Sequence, residues 1–289
     1  MAAAWFKGPV LAATDLEPAA DEAVRQADAL ASREGEPLHV CHVLPEVLRV
    51  RALFPQLHEP EAAELLALER QAGDQVARRV EELTGRSGGQ YAVAIDTGSP
   101  HGGILRQAER VHAGLIVVGA GPTAARVVRG ASVPVLVARP SPAGRVLAAT
   151  DFSDPSLPAL AAAAAEARRR GVPLTLLHSL HVPLAAYSGG VTGFVFPSVT
   201  PALMEDARAA LRAELQAFAQ RAETDAECLI EDGPPAAAIL NAGRTLTAGL
   251  VVVGTHGRTA LARIALGSVA EAVLSAAPCS VLVVRIGSS

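Results

Sequence analysis

The run "GLVVVGTHGRTALARIALGSVAEAVL", residues 249–274, contains the grammar of the whole chain. An apolar, Val-rich segment closes on Gly254 and Gly257, and a Gly267-Ser268 step precedes an Ala-rich segment. A short continuous apolar run bounded by turn residues reads as a buried strand. Ser268 with Glu271 three residues on reads as a helix start. An earlier stretch, "GLIVVGAGPTAARVV" from Gly114, has the same strand but passes almost directly into helix.

Working outward, the chain repeats itself. "VLAATDLEP" (10–18) returns as "VLAATDFSD" (146–154), and "LHVCHVL" (38–44) as "LTLLHSL" (174–180). "DTGSPHGGIL" returns as "EDGPPAAAIL", and "AGLIVVG" (113–119) as "AGLVVVG" (248–254). Asp15 thus matches Asp151, His42 matches His178, and Gly98 matches Gly233 in nearly constant register. By the last strands, where Leu136 meets Leu282, the register has slipped by roughly ten residues. Those residues are missing from the first copy between its glycine strand and its final strand. Self-similarity on this scale marks tandem modules, and the 289 residues accommodate two domains of ordinary size. The Pro/Gly segment "RPSPAGR" (139–145) reads as the linker, giving expected domains 1–140 and 141–289.

Strand and helix patterns alternate within each copy. That alternation predicts an α/β protein of two tandem doubly wound domains, each a five-stranded parallel sheet with helices on both faces. Residues 155–170 predict a helix ending in Arg168-Arg169-Arg170 before Gly171. The triplet reads first as charge complementing the helix C-terminus, ahead of phosphate binding.

Composition narrows the function. Half of the residues are apolar but only 3% are aromatic, so Ala, Val and Leu must build the core. Lys+Arg 25 against Asp+Glu 29, net −4, provides no basic footprint for nucleic acid. Lys7 is the only lysine, which excludes a P-loop lysine. Cys41, Cys228 and Cys279 have no CxxC spacing and read as buried thiols. With no basic leader and no apolar run of membrane-spanning length, a cytoplasmic protein without membrane association is expected.

In doubly wound sheets ligands bind beyond the carboxyl ends of the strands, where strand order switches. Copy two delivers Asp151, Ser179, Gly233 and Gly254 to that rim. Gly254 and Gly257 remove Cβ atoms where a ligand would approach backbone. Gly267-Ser268 places N–H groups and a hydroxyl at a helix N-terminus, which suits an anion. A plain capping box at Ser268 and Glu271 accounts for the serine equally well. His42 and His178 read as hydrogen-bonded core histidines.

"GTHGRTALARIALGS" resembles the G-x2-G-x9-G-S/T signature of the ATP-binding universal stress proteins, and "ATDFS" and "LLHS" are similar to that family's first two strands. The resemblance covers essentially the whole chain as two copies. It implies an ATP-binding regulatory protein with the nucleotide held by Ala149, Asp151, Ser179, Val253, Gly254, Gly257, Gly267, Ser268 and Val269; His256, between the two glycines, reads first as loop structure and second as a direct ligand contact. Arg258, beside the glycine loop, is added as a cation for phosphate. ATP, or ADP or AMP, is expected with Mg2+ or Mn2+, for which Asp151 is the candidate ligand. The resemblance also implies pairing through last strands, here "VPVLVAR" against "CSVLVVR" as an intramolecular pseudo-dimer, with a homodimer of chains and an unidentified protein partner left open.

The first copy keeps Asp15, Val43 and Gly119 but lacks the glycine loop and the Gly-Ser step. One principal nucleotide site per chain, in the C-terminal copy, is therefore expected, with a degenerate N-terminal one. Against a sensor stands an enzyme, an ATPase or nucleotidyl-transfer protein, whose reserve carboxylates would be Glu231 and Asp232. Slow hydrolysis fits the sequence and rapid turnover does not. The loop "LAAYSGGVTGFVFPSVT" (184–200) reads either as a cover over the site or partner surface, or as a surface loop.

Overall fold

The computed structural model of the protein describes residues 5–45, 62–181, 201–255 and 266–285. The segment 184–200 and the residues His256, Gly257 and Arg258 lie outside the described residues. The chain divides into two compact units. One extends to Pro140 and takes in the segment from Ser280 onward, and the other is Ser141–Cys279.

The N-terminal unit is built from β1 (Val10–Ala13), α1 (Pro18–Glu34), β2 (Leu38–Leu44), α2 (Ala62–Thr84), β3 (Ala92–Thr97), α3 (Pro100–Arg110), β4 (Leu115–Gly119), α4 (Pro122–Gly130) and β5 (Val135–Ala138). Its five strands are parallel in the order β3-β2-β1-β4-β5. The chain lays down β1, β2 and β3 outward to one side, then returns to add β4 on the other side of β1. That reversal is the topological switch point.

The C-terminal unit repeats the plan with β6 (Val146–Ala149), a 3-10 turn (Asp154–Ser156), α5 (Leu157–Arg170), β7 (Leu174–Leu180), α6 (Pro201–Arg221), β8 (Glu227–Asp232), α7 (Pro235–Thr245), β9 (Leu250–Gly254) and α8 (Ser268–Ala276). Its parallel order is β8-β7-β6-β9. Val10 registers with Leu38 and Leu115, and its counterpart Val146 with Leu174 and Leu250. The strands β1, β2 and β4 and their counterparts β6, β7 and β9 are therefore paired in the same register.

The last strand, β10 (Ser280–Val284), groups with the N-terminal unit and runs antiparallel to β5. Val281, Leu282 and Val283 face Val137, Leu136 and Val135. This is the pairing of "CSVLVVR" with "VPVLVAR" that the family resemblance implied, and it covers a strand edge that would otherwise be open.

Central strands are apolar without alternation because helices cover both faces. Val10, Leu11, Ala12, Leu115, Ile116 and Val117 are fully buried, as are Val146, Leu147, Leu250 and Val252 or nearly so. The fully buried large side chains are aliphatic apart from Gln107, as 3% aromatic content requires. Alanines on β1, β6 and α5 keep helix and sheet close. Helix α5 stops where predicted, with Gly171 at φ 64 in the left-handed conformation that ends a helix most readily. The arginines before it also neutralise a buried charge. Glu166, 1% exposed, pairs with Arg170 at 3.0 Å and Arg169 at 3.7 Å. A buried carboxylate is tolerated when it is paired. Among the described residues no helix is long and apolar enough to cross a membrane.

Candidate functional site

At the carboxyl rim of the C-terminal sheet lies a cavity of about 410 Å³, within the size range of small-molecule sites. Three strand tips and two helices wall it.

The β6 tip is shaped by its own hydrogen bonds. Thr150 extends the ladder through its N–H to Leu177 O, 3.0 Å. Its Oγ1 accepts the N–H of Phe152 at 3.0 Å, and Phe152 turns the chain at φ 65. A non-glycine residue rarely sits there, so the turn has to be held by its surroundings. Asp151 Oδ1 accepts from the Ser153 N–H at 3.2 Å and the Ser153 hydroxyl at 2.5 Å. Ser156 Oγ donates to Ser153 O at 2.7 Å and lies 2.8 Å from Thr150 Oγ1. These bonds fix the Asp151 carboxylate on the lip of the cavity.

The β7 tip contributes Leu177, His178 and Ser179. His178 Nδ1 lies 2.8 Å from Thr150 O. A carbonyl only accepts, so Nδ1 carries the proton. The imidazole thereby satisfies the carbonyl at the point where the β6 ladder runs out. The Phe152 ring packs on it with centroids 4.2 Å apart, backed edge-on by Phe218. His42 makes the same bond to Thr14 O, 2.9 Å. Recurrence of this histidine thus has a structural cause, as its strand context indicated.

The β9 tip and α8 form the third side. Gly267 caps α8 from an extended conformation, and its N–H donates to Thr255 O at 2.9 Å. A Cβ on Gly267 would approach that same carbonyl to 3.2 Å, closer than most Cβ contacts, so a larger residue there would have to push the Thr255 carbonyl aside. The helix has no side-chain cap bond, and Ser268 is its exposed first residue. The capping-box reading of Ser268 and Glu271 therefore fails: the serine stands one position inside the helix, where its hydroxyl faces a different task. The N–H groups of Ser268, Val269 and Ala270 have no partner within the helix, as at any helix start. All three residues line the cavity.

The cavity wall includes Ala149, Asp151, Ser179, Val253, Gly254, Gly267, Ser268 and Val269, so eight residues singled out along the sequence meet around one space. The expected amide of Gly267 is the exception in role, since its N–H is already bonded to Thr255 O. Sequence reasoning passed over Thr150, Thr255, His181, Pro235 and Ile239, which also line the cavity. Pro235 and Ile239 were readable, because they repeat as Pro100 and Ile104. His181 carries no such signal, as proline stands at the matching position 45.

Asp151 is the only carboxylate among the described wall residues. Arg208 Nη2 donates to both carboxylate oxygens of Asp232, at 2.9 and 3.0 Å, and neither Asp232 nor Glu231 lines the cavity. Among the described residues no group of three or more His, Cys, Asp or Glu is arranged to hold a metal.

The corresponding rim of the N-terminal unit holds a smaller cavity of about 230 Å³. There Leu16 repeats the left-handed turn at φ 67, with its N–H on Thr14 Oγ1 at 3.0 Å. Asp15 Oδ1 accepts from the Glu17 N–H at 3.0 Å. Helix α4 corrects one expectation. The glycine of the Gly-Ser step is not lost, because Gly121 occupies the cap position ahead of α4 as Gly267 does ahead of α8. What is lost is the serine, replaced by Pro122, and the loop before it.

A tandem α/β protein with a small-molecule cleft at the switch point of each sheet is the class that this fold and this rim define. The chain belongs to the universal stress protein family, whose profile matches residues 8–139 and again 143–285. It is 35% identical over 140 residues to the universal stress protein in the QAH/OAS sulfhydrylase 3'region of Thermus aquaticus, covering 48% of this chain and 97% of that one. It is 31% identical over 148 residues to universal stress protein YxiE of Bacillus subtilis (strain 168), covering 49% and 98%. A crystal structure of a universal stress protein from Archaeoglobus fulgidus DSM 4304 shares the fold, with TM-score 0.64 at 20% identity over 96% of this chain and 98% of that one.

Proposed function

We propose that the C-terminal copy binds an adenine nucleotide, ATP in the first place, and that the chain works as a nucleotide-dependent regulator rather than an efficient enzyme. One observation carries the reading. The uncapped start of α8, with the Ser268 hydroxyl and three backbone donors, opens on the same cavity as the strand tips and Asp151. Backbone N–H groups and the positive end of a helix dipole stabilise phosphate oxygens. The apolar wall of Leu177, Val253, Pro235 and Ile239 suits a base or sugar face. The glycine motif through His256, Gly257 and Arg258 supports the reading from the sequence.

A metal fits this wall only as a companion of the phosphates. Mg2+ is commonly held by one or two carboxylates together with phosphate oxygens and water, and Asp151 is the single carboxylate placed for it. Bound in that way, the ion would neutralise phosphate charge. The same scarcity of carboxylates argues against rapid hydrolysis, since no second carboxylate stands on the described wall to share metal binding or proton transfer with Asp151. The output is then a conformation or a contact with a protein partner that depends on occupancy.

The test is the nucleotide content of freshly purified protein, denatured and separated by ion-pair chromatography. About one adenine nucleotide per chain, lost in Ser268→Pro, is the expected result. Two per chain would defeat the assignment to the C-terminal copy. None, with no uptake of added MgATP, would defeat nucleotide binding itself. Fast metal-dependent turnover abolished by Asp151→Ala would favour the enzyme instead.

A further inference from the structure

The N-terminal cleft retains half of a site. Asp15, Pro100, Ile104, Val118 and Gly119 line it where Asp151, Pro235, Ile239, Val253 and Gly254 line the larger one. The strand tip is held in the same turn, by the same Thr hydroxyl and the same histidine bond. This much of the wall is apolar with a carboxylate at its edge.

The other half has changed chemistry. Pro122 stands at the first position of α4, where α8 has Ser268. Proline has no N–H and no hydroxyl, so two donors leave the anion end at once. No cationic side chain lines the cavity, and its one charged side chain is Asp15. Cys41, also on the wall, adds no charge: burial, with the Asp96 carboxylate nearby, pushes its thiol up to about 12. A phosphate there would face the carboxylate with fewer donors than at α8, since Pro122 contributes neither hydroxyl nor N–H and the Thr123 hydroxyl is the only side-chain donor that the start of α4 brings to the wall. The volume has fallen in step, from about 410 to about 230 Å³.

We infer that the N-terminal cleft is a second binding site, for an uncharged nucleoside that carries no phosphate. The apolar walls around Ile104 and Val118 take the flat base, and Asp15 accepts hydrogen bonds from the sugar hydroxyls. The inference rests on the nucleotide reading of the C-terminal cleft, from which it borrows the kind of ligand. It adds that one chain reads two different species, a nucleotide at one rim and its dephosphorylated form at the other.

The experiment titrates adenosine calorimetrically into full-length protein already saturated with MgATP. One further adenosine per chain is expected. Ala120→Phe, which puts a ring into the N-terminal cavity from an exposed position, should weaken that binding at least tenfold and leave the ATP stoichiometry at one. Asp15→Asn should weaken adenosine in the same direction, and Ser268→Ala should not. No adenosine uptake by ATP-saturated protein overturns the inference, as does uptake that both Ala120→Phe and Asp15→Asn leave intact. The MgATP titration that precedes it reports separately on the C-terminal cleft. Failure there is failure of the nucleotide reading, and adenosine uptake without ATP uptake would still uphold a nucleoside site.

Discussion

The two copies share a sheet plan, a strand-tip turn and a histidine hydrogen bond, yet one cleft is nearly twice the volume of the other. The largest difference lies in the segment between the fourth strand and the helix that follows it. In the C-terminal copy that segment runs from Gly254 to Ser268, and in the N-terminal copy it shrinks to Ala120 and Gly121 between β4 and α4. A doubly wound sheet tolerates this because its stability comes from buried strand faces, while the loops at the carboxyl rim carry binding. One module can shorten this segment without losing its architecture.

The largest effects should fall on the parts the copies share. Leu11→Ala and Leu147→Ala remove counterpart side chains that are fully buried, and each should cost about 2–5 kcal/mol of stability. Chemical denaturation followed separately in the two halves would check this; a copy unaffected by its own mutation would break the claim of equivalent cores.

Next comes the segment that differs. Ser268→Pro copies the N-terminal copy's residue into the C-terminal helix start, removing a hydroxyl and an N–H. ATP affinity should fall about 10- to 100-fold, the worth of one or two hydrogen bonds to a charged group, with little loss of stability because proline suits a first helical position. Calorimetry with MgATP would decide; unchanged affinity would remove α8 from the site.

The shared histidine should behave alike in both copies. His42→Ala and His178→Ala each leave a threonine carbonyl without its partner, at about 1–3 kcal/mol. A His178→Ala change that abolished binding at full stability would instead make that side chain a ligand contact and break the symmetry.

The smallest effect concerns pH, at Asp96 in the N-terminal copy. Burial raises the Asp96 carboxyl, but hydrogen bonds from Arg106, from the buried Gln107 and from the Thr97 N–H outweigh it and hold the group below its ordinary value. A depressed carboxyl contributes stability above its unfolded pKa, and that contribution is lost as pH falls through the folded value. Asp96→Asn should therefore flatten the acid limb of the stability curve below about pH 4. Melting temperatures measured on both proteins across that range would reveal it, and parallel curves would contradict it.

The sequence by itself determined the tandem α/β plan, since repeated strands and helix stops are local patterns that survive in a linear string. It also named eight residues that converge on one cavity, because rim positions in a parallel sheet are the strand ends, and strand ends are legible. Tertiary structure decided what those residues do with their hydrogen bonds. Ser268 has the spacing of a capping box, yet the cap is Gly267, and no local pattern distinguishes one helical position from the next when both residues favour helix starts. The Gly267 N–H is taken by Thr255 O, a partner supplied by another strand's end. Gly121 is recognised as the match of Gly267 only when the helices themselves are aligned, because a deletion conceals the register in the string. Hydrogen-bond partners and cavity walls come from distant parts of the chain, so only the folded arrangement assigns them.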